Sequence, residues 1–171
     1  MRAVLRHFRI PKLRVLSDYL LARAAARLCP STSFTLSPIE GPITLPRPVR
    51  ERFSQMMAVR VLTVLDGEGY PLVMPMLSLQ RVDVAATIDS PRRAQQAAPL
   101  LVCAEGPSAD LLESLPDGAP VAACLLTFDV VSFQAKGKWL GSRHFLGAPV
   151  GAMAVTSVYA GGPPIPGRRV A

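Results

Sequence analysis

Thr87, Ser90, Arg92 and Arg93 lie close together in the chain and form its best candidate grip for an anion. Ser90-Pro91 precedes Arg92-Arg93-Ala94-Gln95-Gln96-Ala97, which reads as a helix start with Ser90 as N-cap and Pro91 at the first helical position. A helix start offers unsatisfied backbone N–H groups and the positive end of the helix dipole. Two arginines in a first turn oppose that dipole, at a cost of roughly a few tenths of a kcal/mol or more. A bound phosphate removes the conflict. Two arginines splayed into solvent are the plainer alternative.

The elements that must position this grip lie just upstream. Val59 to Gln80 reads as a hairpin around Asp66-Gly67-Glu68-Gly69. On its first arm Val59, Val61, Thr63 and Leu65 share one face, and Arg60, Leu62 and Val64 share the other. The return arm carries Pro71 and Pro75, which donate no hydrogen bond to a ladder and so mark an edge, a strand end or a bulge. Asp83 to Ile88 reads as a short third strand leading into the helix start. Leu100–Ala104, Val121–Thr127, Val130–Leu140 and Val150–Tyr159 read as further strands, and 48–57 and Ala109–Leu115 as short helices. Six or seven short strands with little helix predict a mainly β, antiparallel barrel.

The order of these pieces resembles the FMN-binding split barrel, the superfamily of pyridoxamine 5′-phosphate oxidase. The resemblance rests on Asp66, Gly69 and Pro71 in the hairpin, then Thr87, then Ser90, Arg92 and Arg93. A late strand, Val130 to Trp139, carries the basic-Gly-basic step Lys136-Gly137-Lys138. The likeness spans about residues 49–159 and departs from the family pattern at Ala86 and Pro91. It implies a split, Greek-key-like β-barrel that holds FMN across the seam of a homodimer. It also implies a phosphate grip at Thr87, Ser90, Arg92 and Arg93, a ring slot along Met74, Pro75, Met76 and Ser78, and reach from Gln134 and Lys136. Methionine is soft enough to lie against a flavin, although in a strand it more often fills core. Trp139 is a core aromatic or a stacking wall. The family's C-terminal His/Arg substrate cluster has no counterpart, because the only histidines are His7 and His144. Efficient pyridoxamine 5′-phosphate oxidation is therefore not expected, and no catalytic residue or substrate is assigned.

Composition narrows the rest. The chain has 171 residues, 50% of them apolar, enough for one domain with a sizeable core. Cys29, Cys103 and Cys124 are odd in number and widely spaced, which fits reduced thiols in the cytoplasm. No metal-ligand spacing, Walker loop or dinucleotide fingerprint occurs. The net charge of +7 is concentrated in residues 1–28, where seven Lys/Arg face the single acid Asp18 and leave the rest of the chain at +1.

That arm, residues 1–29, reads as a basic amphipathic helix with Leu13, Leu16, Leu20, Ala24 and Leu28 on one stripe. It is expected to dock by the stripe on the barrel or across a dimer, or else to lie on an anionic membrane surface. Nucleic acid is disfavoured, because Phe8 and Tyr19 are its only aromatics and no second basic face follows. Residues 30–48 read as a Pro/Ser/Thr-rich connector and 160–171 as a Gly/Pro-rich tail without strand pattern, whose Arg168 and Arg169 are either solvated or reach back over a site.

Three functions fit this reading. One is an FMN-dependent oxidoreductase, another a non-catalytic module for flavin, haem or another planar ligand. The third is a membrane-recruited interaction protein without a cofactor. For the first, Arg92→Ala or Arg93→Ala should weaken FMN by about ten- to a hundredfold, the loss of one charge-assisted contact. Flavin fluorescence during titration of the apoprotein measures this, and unchanged affinity in the double variant removes the phosphate assignment.

Overall fold

The computed structural model describes residues 12–28, 45–55, 58–76, 78–82, 100–104, 108–162 and 165–171. Two helices come first, α1 (Lys12–Leu28) and α2 (Arg47–Phe53). Strands β1 (Val59–Leu65), β2 (Pro71–Pro75), β3 (Gln80–Val82) and β4 (Leu100–Ala104) follow, then the short helix α3 (Ala109–Glu113). The chain ends with β5 (Pro120–Leu126), β6 (Ser132–Phe145), β7 (Ala148–Gly162) and β8 (Ile165–Arg169).

The strands form one eight-stranded antiparallel sheet in the order β2-β1-β5-β6-β7-β4-β3, with β8 also on β7. β2 and β3, the two ends of this path, are joined by only residues 76–79. At about 3.3–3.6 Å per residue such a link cannot cross the width of a flat sheet. The sheet therefore curls until its ends approach, and since no ladder joins β2 to β3 the barrel stays split. Met76 N–H donates to the Arg60 carbonyl and extends the β1–β2 ladder, and Leu79 N–H donates to the Met76 carbonyl where the chain turns.

The hairpin forms where the sequence places it. Asp66 Oδ1 accepts from the backbone N–H groups of Glu68 and Tyr70, and Gly69 takes φ 87° to close the turn. The long strands β6 and β7 bend at register shifts between Lys136 and Gly137 and between Trp139 and Ser142. At Gly137 the Ala154 carbonyl oxygen occupies the space a Cβ would need.

Strand periodicity separates two apolar clusters on opposite faces of the sheet. The larger fills the concave side with Phe53, Leu62, Val64, Met74, Met76, Leu79, Leu125, Trp139 and Met153. Arg60 points to the same side and is fully buried. Its guanidinium donates to the carbonyls of Phe53 and Gln55, so it ties the end of α2 to the barrel. Desolvation lowers its pKa from the ordinary value, and Tyr19 pushes the other way. Arg52 and Asp129 add a 2.7 Å ion pair between α2 and the β5–β6 turn.

The smaller cluster lies on the convex side, where Val82, Val102, Leu140, Val150, Ala152 and Ala154 pack under Ala25 of α1. The expected docking face of this helix is reversed. Tyr19, Ala22 and Ala25 are the buried residues, and Leu13, Leu16 and Leu20 are 84%, 51% and 55% exposed. Ala22 and Ala25, both fully buried, let the helix sit close to the sheet. The tail differs too: Ile165–Arg169 pairs with β7, and Val170 and Ala171 bond to Val158. The third strand at Asp83–Ile88 lies outside the described residues, and β3 is the preceding Gln80–Val82.

Gly137→Ala should destabilise the fold by about 1–3 kcal/mol, because the new methyl meets backbone rather than a movable side chain. Gly67→Ala, where nothing lies within 4 Å, should stay within about 0.5 kcal/mol. Urea unfolding of the pair checks this, and equal midpoints would contradict the close approach at Gly137.

Candidate functional site

The convex face of the sheet is covered by α1 over β3, β4 and the adjoining halves of β6 and β7. Over β2, β1, β5 and the other halves of β6 and β7 no described element covers it. The register fixes which side chains meet there. Pro75, Val61, Cys124, Gln134, Tyr159 and Arg169 are successive cross-strand partners in one row from β2 to β8. Val73, Thr63, Ala122, Lys136 and Ser157 form the adjacent row. Directly opposed residues share a face, so the two rows make one continuous surface.

The surface is apolar at one end and polar at the other. Val59, Leu65, Val73 and Leu126 are 48%, 45%, 61% and 48% exposed, an unusual display for β-branched and leucine side chains on adjacent strands. At the far end Lys136 Nζ lies 4.8 Å from the centroid of the Tyr159 ring, a cation–π contact. Cys124 is half-buried between Val61 and Gln134. Burial pushes its thiol pKa up, while a hydrogen bond with Gln134 and the charge of Lys136 pull it down by less. The thiol is protonated near neutrality and is a poor nucleophile there.

The candidates from the sequence are distributed over both sides. Pro75, Gln134 and Lys136 come together on the open convex face. Met74 and Met76 are buried in the concave core with Trp139, and Ser78 is buried as well. Thr87, Ser90, Arg92 and Arg93 lie outside the described residues. Val61, Cys124 and Tyr159 are not among the sequence candidates, whereas Arg169 is one of the two tail arginines that could reach back over a site. Alternation on each strand carried the signal, but only the inter-strand register aligns them into a row.

A second concavity of about 420 Å³ is lined by Arg47, Arg50, Glu51 and Ser54 of α2 and its C-cap, with Arg81 of β3 opposite. It is electropositive, but the 2.7 Å Arg47–Glu51 ion pair neutralises one of its charges. Among the described residues no group of three His, Cys, Asp or Glu could hold a metal ion.

No family model and no curated protein matches the chain. Among solved structures it is similar to tagged HupZ from Group A Streptococcus, at 9% identity and a TM-score of 0.47, over 75% of this chain and 100% of that one. A single-residue variant of HupZ aligns at 11% identity and a TM-score of 0.46, over 68% of this chain and 99% of that one. Similarity at this level says nothing about the chemistry of the open face, which rests on the residues above.

The balance around Cys124 can be measured. Lys136→Gln removes a charge that favours the thiolate, so alkylation of Cys124 at neutral pH should slow by roughly two- to threefold. The difference should vanish once pH exceeds the thiol pKa in both proteins. Peptide-resolved iodoacetamide labelling across pH tests this, and a faster variant at pH 7 would contradict it.

Proposed function

We propose that this chain is a non-catalytic binding module for a planar conjugated ligand, flavin or haem, seated on the open convex face between two copies of the chain. The row Pro75-Val61-Cys124-Gln134-Tyr159-Arg169 is the observation that supports this reading. A flat ring system needs a broad apolar floor, which Pro75, Val61 and Cys124 provide. It gains from an aromatic wall, as at Tyr159, and from cations for its acidic substituents, as at Lys136 and Arg169. The same floor, left bare, is a surface that a second copy would cover.

Binding without catalysis suits the residues present. Neither row contains a His, Asp or Glu, and Cys124 holds its proton at neutral pH. The histidine and carboxylates that most often carry general acid–base chemistry are absent from both rows. An FMN-dependent oxidoreductase is a separate, catalytic reading of the same barrel. It adds a phosphate grip at Thr87, Ser90, Arg92 and Arg93 and places the redox chemistry on the flavin itself. Haem would in addition need a protein ligand for its iron, and Tyr159 and Cys124 would be the side chains of suitable type in the main row.

Titration of the purified protein with FMN, and separately with haemin, followed by absorption spectroscopy, tests the reading. One of the two should bind saturably, and Tyr159→Ala should weaken it about tenfold through lost stacking and area. Val73→Glu should both weaken the ligand and shift a dimer toward monomer in sedimentation equilibrium. Failure of both ligands to bind, or full affinity in both variants, would refute the assignment of this face.

A further inference from the structure

Helix α1 presents to solvent the residues that a docked helix normally hides. Leu13, Leu16 and Leu20 recur at three- and four-residue spacing and so form one ridge, and Leu28 at the helix end is also exposed. The opposite face is already occupied, since Tyr19, Ala22 and Ala25 are buried against the sheet. Leu13, Leu16, Leu20 and Leu28 are therefore not part of the buried face that docks α1 on its own barrel. Arg23 and Arg27, both exposed, flank the ridge, and Arg23 is steadied by donating to the Tyr19 hydroxyl at 3.1 Å.

We infer that this ridge is a peripheral membrane-binding surface that lays α1 flat on an anionic lipid bilayer, with the barrel on the aqueous side of that interface. Leucines facing outward and arginines beside them match the two layers of such an interface, acyl chains and anionic headgroups. Charge selects lipid over a second copy of the chain. Residues 1–28 carry seven basic residues and one acid, Asp18. A twofold contact through the ridge would set Arg23 and Arg27 against their own equivalents with no acid on the ridge to separate them. No described helix is long and apolar enough to cross a membrane, so the contact is one of surface attachment. It is independent of the ligand proposed for the open sheet face, which lies on the part of the sheet α1 leaves uncovered.

Flotation of the full chain with lipid vesicles tests the inference. Vesicles of phosphatidylcholine with about one third phosphatidylglycerol should carry the protein up the gradient, and pure phosphatidylcholine vesicles should carry at least tenfold less. Leu16→Glu with Leu20→Glu should abolish flotation, and Arg23→Glu with Arg27→Glu should reduce it at least tenfold. These positions are exposed, so thermal melting should be unchanged. Leu16→Ala, which adds no charge, should still weaken flotation severalfold. Absence of flotation in the unaltered protein would overturn the inference, as would equal flotation of all variants. Conversion of an oligomer to monomer by Leu16→Glu in sedimentation would also overturn it, because the ridge would then be a protein contact.

Discussion

The link between β2 and β3 governs the architecture. These strands end the sheet on opposite sides, yet only residues 76–79 separate them in the chain. The sheet must bend round to let them meet, and the bend gives every strand a concave and a convex face. Period-two alternation then sorts the side chains. Leu62, Val64, Val121, Ala123, Leu125, Phe133 and Ala135 turn inward to the main core. Arg60 follows the same alternation, so its guanidinium is carried inside and is satisfied by the carbonyls at the end of α2. Proline at both ends of β2 keeps that edge from pairing further, which preserves the split.

A curled sheet of this length has more convex surface than one helix can cover. α1 takes the half over β3 and β4, where Ala25 and Ala26 of the helix meet valines and alanines of the sheet. The half over β2, β1 and β5 keeps its valines and leucines in solvent. The division of labour follows from where the small residues fall. Ala22, Ala25 and the partly buried Leu21 face the sheet, whereas Leu13, Leu16, Leu20 and Leu28 face outward. Two exposed apolar surfaces of different character result, one broad and flat and the other a narrow ridge edged with arginine.

Much of the fold was legible in the sequence. The Asp66–Gly69 turn, the prolines of β2, and the strand at Leu100–Ala104 stand where local patterning puts them, because turn chemistry and alternation are local properties. Strand β6 runs five residues beyond its expected end at Leu140, since the irregularity between Trp139 and Ser142 lets it continue where the pattern breaks. Strand β8 was not legible at all: Ile165-Pro166-Gly167 has poor strand propensity, and pairing with the long edge of β7 overrides it. Of the alternatives for α1, docking on its own barrel by the leucine stripe does not hold, because leucines outweigh alanines in a periodicity count and closeness of packing does not enter one. Of the sequence candidates, Gln134, Lys136 and Pro75 lie on the open face, and their alignment with Val61, Cys124 and Tyr159 depends on register between strands distant in sequence.

Cys124 lies in the middle of the proposed floor, and its reactivity reports directly on whether anything rests there. The rate of its labelling by a small maleimide, resolved by peptide mapping, should be measured at rising concentrations of FMN and of haemin. A ligand seated on the convex face predicts that labelling of Cys124 slows in step with occupancy of whichever of the two binds. An unchanged Cys124 rate at saturating ligand would place that ligand elsewhere and contradict the account.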